Sequence, residues 1–295
     1  MAEATAKRLL QIQNHLTSLP RSQRLAGKVA IITGAGSPKG IGKASAVAFA
    51  HAGVKALYLL DFDATHLPKT KEEIKDKYPD VVVEIIQGDA SDEKKTIQGL
   101  CQRAVKEQGR LDIMFANAAI VGGQLVQNLN EEDLMRNLKV NVVSVFLATK
   151  YAAEAMQVLG SGKESSSGSI ILTASVAGIR SGAGGYEYSA AKSAVINMAQ
   201  TGANHLTGTN IRVNAICPGL IETGMTELLF TASRSRGTIG KVGQLNPLRR
   251  YGIAEEIAGA VLFLASDESS YVNGIHLPVD GGLSSSLPTA PGKHY

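Results

Sequence analysis

The chain has 295 residues, 44% of them hydrophobic and 19% charged, with a formal net charge of +4. That composition supports a sizeable core and excludes wholesale disorder, and the length suits one large α/β domain or two small ones. Lysine and arginine are spread without a basic block, so neither nucleic acid nor an anionic membrane is implied as a partner.

Residues 1–26 read as an extension in which Leu9, Leu10, Ile12 and Leu16 recur at roughly helical spacing. They fit a short helix lying on the domain or on a partner subunit, or a frayed segment. The apolar run 29–33 ends in glycines and is followed by helical character over 41–52, which reads as strand, glycine turn, helix. Further strands are expected at 54–60, 81–87, 111–116, 169–173, 211–216 and 275–279. Helices are expected at 67–78, 96–108, 131–156, 186–206 and 254–265. The Ser/Gly-rich patch 160–168 reads as a flexible turn, and 220–251, with Gly237, Gly240, Gly243 and Pro247, as an irregular loop. Seven strands alternating with helices predict a doubly wound, Rossmann-type α/β fold: one parallel sheet with helices on both faces. No linker-like composition divides 27–283, which reads as one catalytic domain, and 284–295 reads as a surface tail rich in Ser and Pro.

Two cysteines, Cys101 and Cys217, cannot build a disulfide framework or a four-thiolate zinc site, and the six histidines lack paired-ligand spacing. No metal is expected. The sequence shows neither an apolar run of about eighteen residues nor a signal-peptide core. A soluble protein of a reducing, cytoplasmic compartment is the expectation.

Thr33-Gly34-Ala35-Gly36-Ser37-Pro38-Lys39-Gly40-Ile41-Gly42 lies between the first strand and helix, where free N–H groups and the helix dipole favour a phosphate. The strict G-x-G-x-x-G fingerprint fails because Lys39 occupies its third glycine position. A triphosphate loop fails because Ala44 stands where Ser or Thr would hold magnesium. A merely structural turn is the alternative. Asp61 ends the second strand nineteen residues after Gly42, where a carboxylate bonds both ribose hydroxyls of an adenosine and repels a 2′-phosphate. Lys39 is able to offset a phosphate's charge, yet the balance favours NAD over NADP.

Tyr188 and Lys192 stand four apart in the helix expected at 186–206 and therefore share a face. An unperturbed phenol titrates near pH ~10, and a nearby ammonium stabilises the phenolate, giving a base for an alcohol proton. On its own the pair also fits a Lys stem packed on a Tyr ring. The glycine turn and Asp61 in the same chain weigh against that reading.

Together, the turn 33–42, Asp89, Asn117-Ala118-Ala119, Asn141, Ser175, Tyr188-x-x-x-Lys192 and Pro218-Gly219-x-x-x-Thr223 resemble the classical short-chain dehydrogenase/reductase family over about 27–283. The resemblance implies that Tyr188 is the general acid or base, Lys192 holds the nicotinamide ribose and lowers the Tyr188 pKa, and Ser175 orients the substrate oxygen. Asn141 would complete a proton relay through water. Gly34, Ser37, Lys39, Gly40, Ile41 and Gly42 would contact the cofactor phosphates and Asp61 the ribose. Asp89 and Ala90 would meet the adenine, Asn117 would lie near the adenosine ribose, and Pro218, Gly219, Ile221 and Thr223 would close over the nicotinamide. It also implies a homodimer or homotetramer built on the helices at 131–156 and 186–206.

Two departures stand out. Five residues separate Gly34 from Gly40 where three are commoner, with Pro38-Lys39 resembling an insertion, and Ala116 replaces a usual Asn. Ser-Pro-x-Gly-Ile-Gly turns resemble those of fungal members acting on secondary metabolites.

The implied function is NAD(P)-dependent interconversion of a secondary alcohol and a ketone. Met225, Leu228, Leu229, Phe230 and Ile239 in 220–251 offer an apolar wall for a bulky small molecule, terpenoid, steroid-like or polyketide, or else pack the loop or a subunit contact. Gly182–Gly185 is expected to leave space at the pocket mouth, and Arg180 to meet an anionic substrate group or form a surface salt bridge. An NADP-dependent ketoreductase of the 3-oxoacyl type and a catalytically silent nucleotide-binding sensor are the alternatives. A serine hydrolase does not fit, because Ser175 lies in Thr173-Ala174-Ser175-Val176-Ala177 and not in Gly-x-Ser-x-Gly.

Overall fold

The apolar runs pair into one parallel sheet in a computed structural model that describes residues 2–13 and 15–287. The first half of the chain forms α1 (Ala2–Gln13), α2 (His15–Ser18), β1 (Val29–Thr33), α3 (Ile41–His51), β2 (Ala56–Asp61), α4 (Leu67–Lys77), β3 (Val82–Gln87), α5 (Gly99–Gln108) and β4 (Ile113–Ala116). The second half forms α6 (Glu131–Leu138), α7 (Ser144–Met156), β5 (Gly168–Thr173), α8 (Tyr186–His205), β6 (Ile211–Pro218), β7 (Ile221–Glu222), α9 (Glu227–Ser235), β8 (Gly252–Ile253), α10 (Ala254–Ala265) and β9 (His276–Val279). Of the expected tail 284–295, residues 288–295 lie outside the described residues.

The strand order is β3-β2-β1-β4-β5-β6-β9, every pair parallel. This is the Rossmann-type doubly wound sheet. Alternation along β1 shows why its sequence is apolar up to the closing Thr33. Val29 and Ile31 enter the core under α5, α7 and α8, while Ala30 and Ile32 enter the core under α3, α4 and α10. The strand order reverses beside β1, between β2 and β4, and that reversal opens a crevice at the carboxyl ends of the strands.

Several expectations need adjustment. The helix at 131–156 is continuous but contains a π-turn at Lys139–Val143, closed by Ser144 N–H donating to the Lys139 carbonyl, and the helix at 96–108 opens with a π-turn at Glu93–Gln98. Periodicity over so long a window does not register one extra residue. The irregular stretch 220–251 holds α9, and β7 pairs in parallel with β8 through Ile221↔Gly252 and Glu222↔Ile253. Two-residue strands carry no alternation to read. The patch 160–168 is pinned at Lys163, whose buried ammonium donates to the Leu111 carbonyl at 2.8 Å. The extension forms helices: α1 lies against α10 and the lid formed by 220–251, with Leu9 buried, and ion pairs Arg21–Asp80 (2.8 Å) and Lys28–Asp267 (2.6 Å) fix the chain that follows.

The turn between β1 and α3 is tight. A Cβ on Gly42 would stand 2.3 Å from the Gly34 carbonyl oxygen, which is backbone and cannot swing aside. Gly42→Ala is therefore expected to lower stability by ~1–3 kcal/mol, the usual cost of overpacking, read by chemical denaturation. An unchanged midpoint would contradict this packing.

Candidate active site

β5 delivers Ser175 to the crevice. Its hydroxyl accepts from Ala177 N–H at 3.1 Å and caps the short 3-10 turn Val176–Gly178. That turn lies directly on α8: a Cβ on Gly178 would fall 2.6 Å from the Lys192 carbonyl carbon. The close approach brings Ser175 to the face of α8 that carries Tyr188 and Lys192.

Lys192 is 1% exposed. Its ammonium donates to the Thr173 carbonyl at 2.8 Å and lies 5.5 Å from the centre of the Tyr188 ring. Burial pushes its pKa down to about 7, opposed only weakly by the nearby Cys217. Cys217 is itself pushed up to about 12 by burial, so it is a neutral neighbour and not a counter-ion. Burial likewise raises the Tyr188 phenol above its ordinary value, and a hydrogen bond with Ser175 pulls it back. The net shift of the Tyr188 phenol is thus upward, with burial its largest cause. Burial presses both groups toward neutrality.

Asn141 is held from three directions. It sits in the π-turn, and its amide donates to the Ile120 carbonyl (2.9 Å) and to Asn137 (2.8 Å) while its oxygen accepts from Ile120 N–H (3.2 Å). The side chain staples the chain after β4 to the helix. It makes no hydrogen bond to Ser175, Tyr188 or Lys192.

The glycine turn meets the same crevice. Gly40 precedes α3 without any side-chain cap, so the first N–H groups of α3, from Ile41 and Gly42 onward, point into it unclaimed. Gly34 adopts φ 69° with its Cα against Ala118. Asn117 donates to the Thr33 and Gly34 carbonyls at 3.2 and 3.0 Å, and Thr173 donates to Asn117 at 3.2 Å. The N–H groups of Asn117 and Ala118 both donate to the Thr33 hydroxyl at 3.0 Å, which supplies the support that Ala116 cannot give.

On the far side, the Asp61 carboxylate accepts from Gly36 N–H at 2.6 Å and Asp63 N–H at 3.1 Å. Gly36 is a residue that sequence reasoning missed: a Cβ there would stand 2.5 Å from the Asp63 carbonyl oxygen. Its signal was the lengthened turn itself. Asp89 holds Ser91 through N–H and hydroxyl donors at 2.8 and 2.7 Å, next to buried Ala90. Across the crevice, Pro218 ends β6, Gly219 N–H donates to the Val279 carbonyl at 3.1 Å, Ile221 lies in β7, and Thr223 forms a capping box with Thr226. Gly224 sits on Ser37, where a Cβ would come within 2.7 Å of the Ser37 hydroxyl.

Around this core two expectations change. Arg180 forms no salt bridge among the described residues; it donates to the Leu283 carbonyl at 2.8 Å and to the Ser286 carbonyl, anchoring the start of the tail. Gly184 and Gly185 leave no open mouth, since Cβ atoms there would be 2.9 Å from the Tyr188 ring and from the Gly122 carbonyl oxygen; only Gly182 has room. Of the expected apolar wall, Phe230 packs edge-on against Tyr251 at 4.8 Å, Leu228 is exposed to solvent, and Met225 and Leu229 are each partly exposed on the lid.

Comparison with known proteins places this geometry. A family model described as enoyl-(acyl carrier protein) reductase matches residues 34–284. The chain is 38% identical over 262 residues to the 3-oxoacyl-(acyl-carrier-protein) reductase FabG of Thermotoga maritima, covering 88% of this chain and 99% of that protein. It is 35% identical over 264 residues to 3beta-hydroxysteroid dehydrogenase 2 of Eggerthella lenta, covering 88% and 96%. A crystal structure of levodione reductase matches with a TM-score of 0.81 at 34% identity, covering 89% of this chain and 100% of that one.

The buried lysine yields a pH test. The unfolded chain keeps the Lys192 proton up to its ordinary value of 10.5, whereas the folded chain releases it above about 7. Between those values the unfolded state binds more protons, so this group makes stability rise with pH and costs most at and below pH 7. Lys192→Met removes that slope. Its melting temperature relative to wild type should be most favourable near pH 7 and decline toward pH 10; a difference independent of pH would contradict the assignment.

Proposed function

The chain belongs to the classical short-chain dehydrogenase/reductase family, and on that premise we propose that it interconverts a bulky secondary alcohol and its ketone, with NAD preferred and Tyr188 as acid–base. At the coarser level it is an NAD(P)-dependent oxidoreductase acting on CH–OH groups. The observation that carries the reading is that the turn after Ser175 packs on α8 where the buried Lys192, hydrogen-bonded to Thr173, lies 5.5 Å from the centre of the Tyr188 ring.

The residues present fit a nicotinamide dinucleotide. The uncapped start of α3 and the glycine approach at Gly34 and Gly42 suit a pyrophosphate, and the Asp61 carboxylate retains lone pairs for ribose hydroxyls. When bound, the nicotinamide accepts or supplies the hydride. Tyr188 takes the hydroxyl proton in the oxidation and returns it in the reduction. Ser175 bonds the same substrate oxygen and fixes its distance from the phenol. Lys192, anchored to Thr173, holds positive charge beneath the ring, which favours the phenolate whenever that ammonium is protonated. Asn141 acts as a positioning residue by fixing the segment after β4.

Asp61 supports NAD, since its negative charge at the strand end opposes a 2′-phosphate. Partly exposed Met225 and Leu229 on the lid, and a relative named for a hydroxysteroid, support an apolar substrate. The 38% identity to a 3-oxoacyl-(acyl-carrier-protein) reductase favours a second reading, reduction of a 3-oxoacyl group with NADP. Exposed Met135, Val143 and Phe146 along α6, the π-turn and α7 support a homodimer or homotetramer packed there.

Tyr188→Phe should lower turnover by about 10²–10⁴-fold, the usual worth of a positioned acid–base group. Its NADH affinity, read by nucleotide fluorescence, should stay within about twofold of wild type. A panel of cyclic and acyclic alcohols and ketones with both cofactors supplies the assay. Near-normal turnover in the variant would overturn the role of Tyr188.

A further inference from the structure

The glycine turn and the lid meet through charge as well as packing. Glu222 lies in β7, its backbone fixed opposite Ile253 of β8, and its carboxylate accepts from Arg234 of α9 at 2.6 Å. The Lys39 ammonium stands 3.9 Å from the same carboxylate. Lys39 is 69% exposed on a flexible four-carbon stem, whereas Glu222 is 15% exposed and held, so the lysine is the partner that moves.

Lys39 and Asp61 give opposite instructions about a 2′-phosphate. Asp61 is bonded to Gly36 N–H, and Gly36 is three residues before Lys39 in the same turn, so both charges border one edge of the crevice. Asp61 repels a phosphate there and Lys39 attracts one. What decides between them lies across the crevice.

We propose that Glu222 is a specificity-determining residue for the cofactor: it draws Lys39 to the lid and cancels its charge, so that Asp61 governs the ribose edge. The inference rests on the reading of this crevice as a nicotinamide dinucleotide site. In this arrangement NAD preference is a property of three charges on three segments, and Arg234 keeps the deciding carboxylate in place. The lengthened turn has a use here: Gly36 supplies the N–H that orients Asp61, and the added Pro38-Lys39 supplies the cation that Glu222 restrains.

Binding of NADH and NADPH, followed by nucleotide fluorescence without any substrate, tests this. Glu222→Gln keeps the shape and removes the charge; NADPH should bind about fivefold more tightly, the upper worth of an exposed ion pair, with NADH within about twofold. Adding Lys39→Met to Glu222→Gln should return NADPH affinity to the wild-type value. Lys39→Met alone should change NADPH affinity less than about twofold, because in wild type the lysine is already engaged. An unchanged NADPH-to-NADH ratio in Glu222→Gln would overturn the proposal, as would a gain that survives Lys39→Met or a several-fold loss of NADPH affinity in Lys39→Met alone. A wild type that binds neither dinucleotide contradicts the underlying reading of the crevice, and a wild type that binds NADPH more tightly contradicts its NAD preference. A wild type that binds both with a ratio insensitive to Glu222 contradicts this inference by itself.

Discussion

A lysine buried without a counter-ion among the described residues is the constraint on which the rest of the site depends. Lys192 is removed from water by the packing of α8 on β5 and β6, and its one hydrogen-bond partner is the neutral carbonyl of Thr173. Burying a charge in that way is unfavourable and drives its pKa to about 7. A protein selected for stability alone would place an apolar side chain there. The cost is understandable at a place where positive potential under a phenol has work to perform, and perturbed titratable groups cluster at such places.

From Lys192 the structure can be followed outward by hydrogen bonds. The Thr173 carbonyl holds the lysine and its hydroxyl donates to Asn117, which grips the Thr33 and Gly34 carbonyls of the glycine turn. The end of β5, the end of β4 and the turn after β1 are thus one bonded unit. The segment carrying Lys192 and the glycine turn are held in fixed relation by the sheet's own termini and not by the loops. The lid stands apart from this unit. It touches it through Gly224 on Ser37 and through the Glu222–Lys39 pair, contacts weak enough to break and reform.

Much of this was legible in the sequence. The strands at 29–33 and 169–173 are apolar at their centres because both faces are covered, and Tyr188 and Lys192 announce their shared face by spacing alone. What could not be read depends on close approaches between distant segments. Gly36 looks like any turn glycine until Asp61 and Asp63 are seen against it, and Arg180 looks like a surface cation until the carbonyls of Leu283 and Ser286 arrive beside it. Gly184 and Gly185 were misread for the same reason, since a glycine run signals either open space or crowding, and here it signals crowding. The effect of burial on Tyr188 and Lys192 was also invisible, because a motif names residues but not their desolvation.

The central claim is that the protein's own atoms hold Tyr188 neutral and that positive charge brought into the crevice ionises it. The most direct measurement is an ultraviolet titration of the phenol, taken as wild type minus Tyr188→Phe, with and without saturating NAD⁺. The account predicts a phenol titrating above the ordinary tyrosine range without NAD⁺ and falling below it when NAD⁺ is added. A phenol already ionised near neutral pH without NAD⁺, or one whose titration does not move when NAD⁺ binds, would contradict it.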